Sequence, residues 1–180
     1  HLCDRLLKLG HRVICVDNFN DSYPPFYKRQ NLIQAQKQIN FSLHKVDICD
    51  KKGLDLVFKK NKIDSVVHLA ARAGVTPSIV KPREYFETNV LGTLNVLEAM
   101  RQYKIRRLIL ASSSTVYGLD AKTPFCEKDP AQKPSSPYGA SKIAAESIVF
   151  TYSHLYDIDT AVLRFFNGYG PRTRPDMALY

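Results

Sequence analysis

The chain has 180 residues, of which 44% are hydrophobic and 24% are charged; this composition excludes a disordered or fibrous protein and predicts one folded domain or little more. Its formal net charge is +9, but the basic residues occur in small groups without interleaved aromatic residues, so we expect no nucleic-acid partner. The chain has no apolar run near the ~20 residues of a membrane span, no signal-peptide pattern and no metal-ligand spacing, and its four widely spaced cysteines predict a reduced, cytoplasmic protein.

Predicted strands and helices alternate along the chain. Short β-branched or apolar runs predict strands over residues 12–17, 41–47, 65–70, 107–111 and 160–166. Composition and helical periodicity predict helices over residues 1–10, 27–39, 51–60, 84–102 and 138–155. Apolar strands separated by helices predict a parallel sheet with helices on both faces, which is the doubly wound α/β fold of dinucleotide-binding domains.

Asp17 ends the first predicted strand that follows a helix. An acid at this position can hydrogen-bond both hydroxyls of an adenosine ribose and repels a 2′-phosphate, which favours NAD over NADP. The alternative is an aspartate that caps a turn or a helix, because Asn18 follows it. The spacing alone does not decide between these two interpretations.

Tyr138 and Lys142 are four residues apart in a predicted helix and therefore share one helix face. A lysine ammonium near a phenol favours the phenolate and lowers the pKa of the tyrosine. This pair therefore predicts a tyrosine that acts as a general base near neutral pH. An exposed helix start that happens to carry Tyr and Lys is the alternative.

Four consecutive hydroxyl side chains, from Ser112 to Thr115, follow the strand predicted at residues 107–111. Ligands in doubly wound folds bind beyond the carboxyl ends of the strands, so these hydroxyls are expected to hydrogen-bond a sugar oxygen; a serine-rich turn is the alternative. The loop at residues 118–137 contains four prolines and is long for a compact domain, which favours a functional role.

In their order along the chain, these features resemble the extended short-chain dehydrogenase/reductase family, in its NAD-dependent epimerase/dehydratase branch. The resemblance covers essentially the whole chain. The matching segments are residues 16–19, 46–48, 68–71, 89–95, 111–118, 138–142 and 163–167. The resemblance implies a Rossmann-like domain with NAD as its cofactor and a UDP-sugar as its substrate.

The resemblance also implies a role for each matching residue. Ser113 would be the catalytic hydroxyl, Tyr138 the catalytic base and Lys142 the residue that holds the nicotinamide ribose. The residues that would bind the cofactor are Asp17, Asn18, Asp47, Ile48, Leu69, Ala70, Ala71, Asn89, Tyr138, Lys142 and Phe166. The residues that would contact the substrate are Ser113, Ser114, Asn167 and Arg174.

Domains of this family begin with a strand and a glycine-rich turn that binds the cofactor pyrophosphate, whereas this chain begins in a predicted helix. We therefore expect residues 1–170 to form an incomplete NAD-binding domain that lacks this strand and turn. Residues 171–180 are expected to begin a substrate-binding region, and the isolated chain is expected to be inactive. The family pairs two helices across a subunit interface, which implies a homodimer built on the helices at residues 84–102 and 138–155.

The residues after Ser113 discriminate between the reactions of the family. Dehydratases carry Asp-Glu where this chain has Ser114 and Thr115, and decarboxylases carry Glu in place of Thr115. Reductases of this branch use NADPH, which Asp17 disfavours. Epimerisation remains, because NAD takes one hydride and returns it, so that no further acid is required.

Residues 170–180 resemble the enzymes that epimerise UDP-glucuronate, and Arg174 would bind the substrate carboxylate. A surface arginine is the alternative, and Asn167 stands where these enzymes carry threonine; an asparagine there is typical of UDP-glucose 4-epimerases. We expect NAD-dependent 4-epimerisation of a UDP-hexuronate, from UDP-glucuronate to UDP-galacturonate through a 4-keto intermediate. The alternatives are a UDP-glucose 4-epimerase, another sugar-nucleotide enzyme of the family, a non-catalytic nucleotide-binding module and a basic nucleic-acid binder.

Overall fold

The computed structural model describes residues 1–175. These residues form two compact units: unit 1 comprises residues 1–47 and 167–175, and unit 2 comprises residues 48–166. No helix in this part of the chain combines the length and the apolar character needed to cross a lipid bilayer.

Unit 1 contains a two-stranded parallel sheet and two helices. Its elements are α1 (Leu2–Lys8), β1 (Val13–Asp17), α2 (Pro25–Gln36) and β2 (Phe41–Lys45). β1 and β2 pair in register, with Asp17 opposite Lys45. Because the two strands are parallel, their carboxyl ends lie at the same edge of the sheet.

Unit 2 is built on a three-stranded parallel sheet in the order β3–β4–β5. The strands are β3 (Val66–His68), β4 (Arg107–Ser113) and β5 (Asp159–Phe165). The helices are α3 (Lys51–Lys60), α4 (Val75–Val80), α5 (Pro82–Phe86), α6 (Thr93–Gln102) and α7 (Pro137–Tyr156), with a π-helical segment at Glu87–Gly92 and a 3₁₀ turn at Ser114–Tyr117. The large side chains that are fully buried in its core are Leu97, Met100, Leu110, Val116 and Val149.

The sheet topology confirms the predicted fold class. All strand pairs among residues 1–175 are parallel. Parallel strands that are connected through helices are the arrangement of a doubly wound α/β fold. The helices predicted at residues 51–60 and 138–155 correspond closely to α3 and α7.

The helix predicted over residues 84–102 is interrupted. α5 leads into the π-helical segment and then into α6. The buried Asn89 lies in that segment, and Gly92 approaches Ile48 so closely that an added Cβ would lie 2.6 Å from the Ile48 Cδ1 atom. A widened turn of this kind depends on contacts with other segments. The apolar periodicity of one helix therefore does not predict it.

Two strands of unit 2 end two residues away from the predicted position, as does β2 of unit 1, which ends at Lys45. β4 extends through Ser113, so Ser112 and Ser113 are strand residues and not part of a turn. β3 ends at His68, which leaves Leu69 and Ala70 beyond the carboxyl end of the sheet. Both differences concern the edge at which ligands of doubly wound folds bind.

Candidate active site

Ser113 is the last residue of β4, at the carboxyl end of the unit 2 sheet. Its side chain is buried, and Oγ accepts hydrogen bonds from the Thr115 backbone N–H at 3.3 Å and from the Thr115 hydroxyl at 3.0 Å. Ser113 therefore caps the 3₁₀ turn Ser114–Tyr117. Because these bonds use the lone pairs of Oγ, the hydroxyl proton of Ser113 can be donated to a ligand oxygen.

Tyr138 lies in the first turn of α7 and is half-buried. The Ser136 hydroxyl caps this helix by accepting a hydrogen bond from the Gly139 N–H at 3.1 Å. The Tyr138 ring packs against Tyr85 of α5, edge to face, with the centroids 6.1 Å apart and the planes at 74°. The Tyr85 hydroxyl in turn donates to the Ala73 carbonyl at 3.0 Å, which holds the Tyr85 ring in place.

Lys142 lies one turn after Tyr138 on the same helix. It is only 5% exposed, and its Nζ donates to the Ala111 carbonyl of β4 at 2.9 Å, two residues before Ser113. Burial lowers the pKa of Lys142 to about 8, and the carboxylate of Glu146 acts in the opposite direction. Lys142 is therefore cationic at neutral pH and has N–H groups to donate beyond the one bonded to Ala111.

Asn89 connects the segment after β3 to the start of α7. Its Oδ1 accepts the Arg72 N–H at 2.7 Å, and its Nδ2 donates to the Arg72 carbonyl at 3.0 Å and to Ser141 Oγ at 2.9 Å. The residue is 1% exposed, so its amide is used within the protein. This bonding fixes the segment that carries Leu69, which is 52% exposed, and the exposed Ala70.

His68 is a core histidine, as the apolar run around it predicts. Its Nε2 lies 2.9 Å from the Thr93 hydroxyl. That hydroxyl donates to the Asn89 carbonyl at 2.6 Å, so it accepts a hydrogen bond from the His68 Nε2–H group. Burial and the charge of Lys142 together lower the pKa of His68 to about 4, which keeps the imidazole neutral.

Asp17, Asn18 and Asp47 lie together at the carboxyl edge of the unit 1 sheet. Asp17 Oδ1 accepts the Phe19 N–H at 2.7 Å, which makes Asp17 a turn residue as well as a strand end. The Asn18 amide donates to Asp47 Oδ2 at 2.7 Å across the ends of β1 and β2. Asp17 still has Oδ2 with which to accept a ribose hydroxyl, so the turn and the ribose interpretation are compatible.

Arg174 lies in unit 1 with its guanidinium 5.9 Å from the centroid of the Tyr23 ring. Arg172 pairs with Asp4 at 2.7 Å. The two arginines line a pocket of about 260 Å³. The other lining residues are Tyr23, Tyr27, Asn31, Gly170, Thr173 and Pro175. Residues 176–180, which belong to the expected substrate-binding region, lie outside the described part of the chain.

The expected site residues are divided between the two units. Unit 1 contains Asp17, Asn18, Asp47, Asn167 and Arg174. Unit 2 contains Ile48, Leu69, Ala70, Ala71, Asn89, Ser113, Ser114, Tyr138, Lys142 and Phe166. Within unit 2, Ile48 and Asn89 are buried, whereas Phe166 is exposed. In residues 1–175 we find no group of three His, Cys, Asp or Glu side chains placed to hold a metal ion.

One buried ion pair beside this site was missed by the sequence reasoning. Glu146 of α7 pairs with Arg164 of β5 at 2.9 Å, and both side chains are largely buried. The available signal was the spacing, since Glu146 follows Lys142 by one helical turn. The partner on β5 could not be found in this way, because it is brought close only by the fold.

A family model described as GDP-mannose 4,6 dehydratase matches residues 1–179 of the chain. The chain belongs to this family. The match confirms the resemblance to NAD-dependent epimerases and dehydratases that the motifs indicated, and family membership by itself leaves the reaction open.

Several relatives of this family are similar to the chain. The UDP-glucuronate 4-epimerase of Thermodesulfobacterium geofontis is 42% identical over 97% of this chain and 54% of its own length. Protein CapI of Staphylococcus aureus is 45% identical over 100% of this chain and 54% of its own length. The chain thus spans about half the length of the curated relatives it matches.

Solved structures show the same fold. The Bacillus cereus UDP-glucuronic acid 4-epimerase, in complex with UDP-glucuronic acid and NAD, matches with a TM-score of 0.89 at 35% identity, over 99% of this chain and 56% of its own. The Thermus thermophilus UDP-glucose 4-epimerase, in complex with NAD, matches with a TM-score of 0.87 at 34% identity, over 99% of this chain and 55% of its own. These similarities confirm a Rossmann-like α/β architecture that corresponds to part of the longer enzymes.

Proposed function

We propose that the full-length protein is an NAD-dependent 4-epimerase that converts UDP-glucuronate to UDP-galacturonate. One observation carries this proposal: the buried Lys142 is hydrogen-bonded to β4, the strand that ends in Ser113. Ser113 ends the strand, Lys142 is bonded to Ala111 of the same strand, and Tyr138 precedes Lys142 by one helical turn. A non-catalytic nucleotide-binding module has no need of this combination.

Tyr138 is the base of the proposed reaction and takes the proton from the sugar O4 hydroxyl. The Lys142 ammonium is buried one helical turn away, so it places a positive charge near the proposed base. Ser113 donates its hydroxyl proton to O4 and holds the oxygen in place as it becomes a carbonyl. The sugar passes through a 4-keto intermediate and regains hydrogen on the other face of C4.

The residues present fit NAD in both units. In unit 1, Asp17 accepts the Phe19 N–H with Oδ1 and has Oδ2 for a ribose hydroxyl. In unit 2, the exposed Leu69 and Ala70 provide apolar surface at the end of β3, and Lys142 has N–H groups for a second ribose. When bound, NAD supplies the acceptor for the hydride that leaves C4 and the donor that returns it.

The positions after Ser113 support epimerisation over dehydration, although the family model is described as a dehydratase. Elimination of water requires an added acid and base, and Ser114 and Thr115 provide only hydroxyls there. Glu146 is a carboxylate near this strand end, but it is bound by the Ser112 hydroxyl and by Arg164. The epimerases among the relatives support the same conclusion.

The sugar is assigned through Arg174, whose planar guanidinium suits a hexuronate carboxylate. The Thermodesulfobacterium and Bacillus relatives act on or bind the glucuronate substrate, which supports this assignment. A UDP-glucose 4-epimerase is the second candidate, favoured by Asn167 and by the Thermus relative. We also propose that residues 171–180 begin the substrate-binding region.

We further propose a homodimer and a cytoplasmic location. Phe150 and Leu155 of α7 are 74% and 61% exposed, and Phe86 and Leu91 near α6 are also exposed. Apolar side chains on two neighbouring helices support an interface between two copies of the chain. The four cysteines are all free thiols, which supports a reducing compartment.

The Tyr138→Phe variant tests the proposed chemistry. Removing the phenol hydroxyl of the general base should lower kcat by on the order of 10²-fold or more, with the fold retained. Tyr103→Phe is the matched control, because it removes a half-buried hydroxyl that is bonded to Asp55 at 2.9 Å, outside the proposed site. Near-normal turnover in Tyr138→Phe would remove Tyr138 from the mechanism.

A further inference from the structure

Tyr138, Lys142 and Glu146 form one row along α7, each one helical turn after the last. Glu146 ends this row in a bidentate pair with Arg164 of β5: Nε donates to Oε1 at 3.2 Å and Nη2 donates to Oε2 at 2.9 Å. The side chains of Glu146 and Arg164 are 12% and 18% exposed. The Ser112 hydroxyl also donates to Oε1, so Glu146 is joined to the strand that ends in Ser113.

Arg164 extends this connection to the proline-rich loop at residues 118–136. Its Nη1 donates to the Asp129 carbonyl at 3.2 Å and lies 3.5 Å from the Glu127 carbonyl. Its guanidinium lies 4.9 Å from the centroid of the Tyr117 ring, and that ring stacks on Phe125 at 4.8 Å. Arg164 therefore contacts the loop at its middle and the residue that precedes it.

The loop joins the two proposed reacting groups in sequence, because it begins after the turn capped by Ser113 and ends at the cap of the helix that carries Tyr138. An anchor at its middle restrains both ends. The side chains that make this anchor are buried and charged, so losing one partner would leave the other without compensation.

Glu146 also affects the charge of Lys142. Burial lowers the pKa of Lys142, and the Glu146 carboxylate raises it. Two other groups of unit 2 do not replace this effect: His68 of β3 interacts with Lys142 but is neutral, and Arg164, which pairs with Glu146, is itself a cation.

We propose that Glu146 and Arg164 are a positioning pair for the epimerisation, which anchors the loop between Ser113 and Tyr138 and places a carboxylate one helical turn from Lys142. This inference rests on the proposed function for its catalytic consequence. Neither side chain touches the reacting atoms; both act through the loop and through Lys142.

Two variants of the full-length protein test the proposal. Glu146→Gln keeps the shape of the side chain and removes its charge, and Arg164→Lys keeps the charge and removes the bidentate pair. One readout is the rate at which trypsin cuts after the exposed loop residues Lys122 and Lys128. The other is the pKa of Lys142, measured from the pH dependence of its competitive labelling by acetic anhydride. Neither readout requires activity.

Both variants should speed cleavage of the loop by about tenfold or more, because a charge-assisted pair no longer opposes local opening. Glu146→Gln should also lower the pKa of Lys142, and the alkaline limb of kcat should move to lower pH by the same amount. Glu146→Asp keeps the charge and should restore part of the resistance of the loop to cleavage and part of the wild-type pKa of Lys142. The matched control is Glu98→Gln, which breaks the bidentate but more exposed pair with Arg101 on α6 and should change neither readout.

The proposal would be overturned if Glu146→Gln had the same rate of loop cleavage and the same pKa of Lys142 as the wild-type protein. Equal acceleration of cleavage at Lys62, which lies outside the loop, would show general destabilisation and overturn the anchoring role. The proposed epimerase function is tested separately. It fails if the wild-type protein does not convert UDP-glucuronate, even when the variants still change loop cleavage and the pKa of Lys142.

Discussion

Arg174 is the residue on which the choice between two sugars depends. If its guanidinium binds the substrate carboxylate, Arg174→Ala should lower kcat/KM for UDP-glucuronate by about ten- to a hundredfold, the effect of losing one charge-assisted hydrogen bond. Turnover of UDP-glucose should change little. Arg172→Ala is the matched control, because it removes another guanidinium that lines the same pocket.

The turnover of UDP-glucose and of UDP-glucuronate by the wild-type protein should also be compared. A wild type that epimerises UDP-glucose as well as UDP-glucuronate would show that Asn167 was the better guide to the substrate, and the second candidate function would replace the first.

His68 should make folding sensitive to acid. Its folded pKa of about 4 lies below the usual 6.5, so the unfolded chain binds more protons between these values and stability falls as the pH drops through this window. By pH 5 the loss should reach about 2 kcal/mol. The free energy of unfolding in urea should therefore fall more in wild type than in His68→Gln between pH 7 and pH 5. Equal losses would contradict the buried, neutral state of His68.

At the scale of residues, the sequence predicted the groups whose chemistry follows local spacing. Tyr138 and Lys142 are related by one helical turn, and the four hydroxyls of residues 112–115 follow a predicted strand. The choice of Ser113 among those hydroxyls came from the family resemblance. The sequence did not predict that Asn89 contacts Arg72 or that Arg164 contacts Glu146. These partners are 17 and 18 residues away along the chain. Their roles become visible only when the strands and helices are packed.

Among the elements, the proline-rich loop depends on Gly118. This residue has φ +79°, and an added Cβ would lie 2.0 Å from the Gln132 carbonyl oxygen and 2.7 Å from that of Lys133. Both neighbours are backbone atoms where the loop returns, so they cannot turn away. Gly118→Ala should therefore destabilise the protein and displace the loop.

Gly10→Ala separates the two causes of this effect. Gly10 has φ +84° but has nothing within 4 Å of an added Cβ. Gly10→Ala should lower the free energy of unfolding by about 1 kcal/mol, from backbone strain alone. Gly118→Ala should lower it by about 1–3 kcal/mol more, because of the clash. Urea unfolding measures both variants. Equal losses would contradict the close approach of the loop ends.

Elements were predictable where their signals are local. α3 and α7 agree with the prediction because apolar periodicity and the capping residues Asp50 and Ser136 lie within the segment. The π-helical segment was not predicted, since Asn89 and Gly92 make their contacts with residues far along the chain. The end of β4 was placed two residues early because serines are typical of turns, whereas here they are buried.

For the whole molecule, the exposed apolar face of α7 predicts an interface. Replacing Phe150 by glutamate would place a charge in the proposed homodimer contact. In light scattering at micromolar concentration we expect Phe150→Glu to be a monomer and wild type to be a dimer. Ile39→Glu is the control, because Ile39 is a fully exposed apolar residue in unit 1. A monomeric wild type, or a dimer that survives Phe150→Glu, would refute this interface.

The fold class of the whole molecule followed from the alternation of strands and helices, and the family followed from the order of its motifs. The division of the described chain into two units was not predicted. Residues 1–47 form a unit with residues 167–175, and the incomplete NAD-binding domain expected over residues 1–170 stays a prediction. Such a division depends on contacts between the ends of the chain, which have no local signal.

The central claim is that hydrogen leaves C4 of UDP-glucuronate and returns to the same carbon on its other face. The most direct measurement is NMR of the product formed by the full-length protein from UDP-glucuronate deuterated at C4. We predict UDP-galacturonate that retains the deuterium at C4, with the same conversion much slower in Tyr138→Phe. A product that has exchanged this deuterium with solvent, a dehydrated product, or no 4-epimer at all would contradict the account.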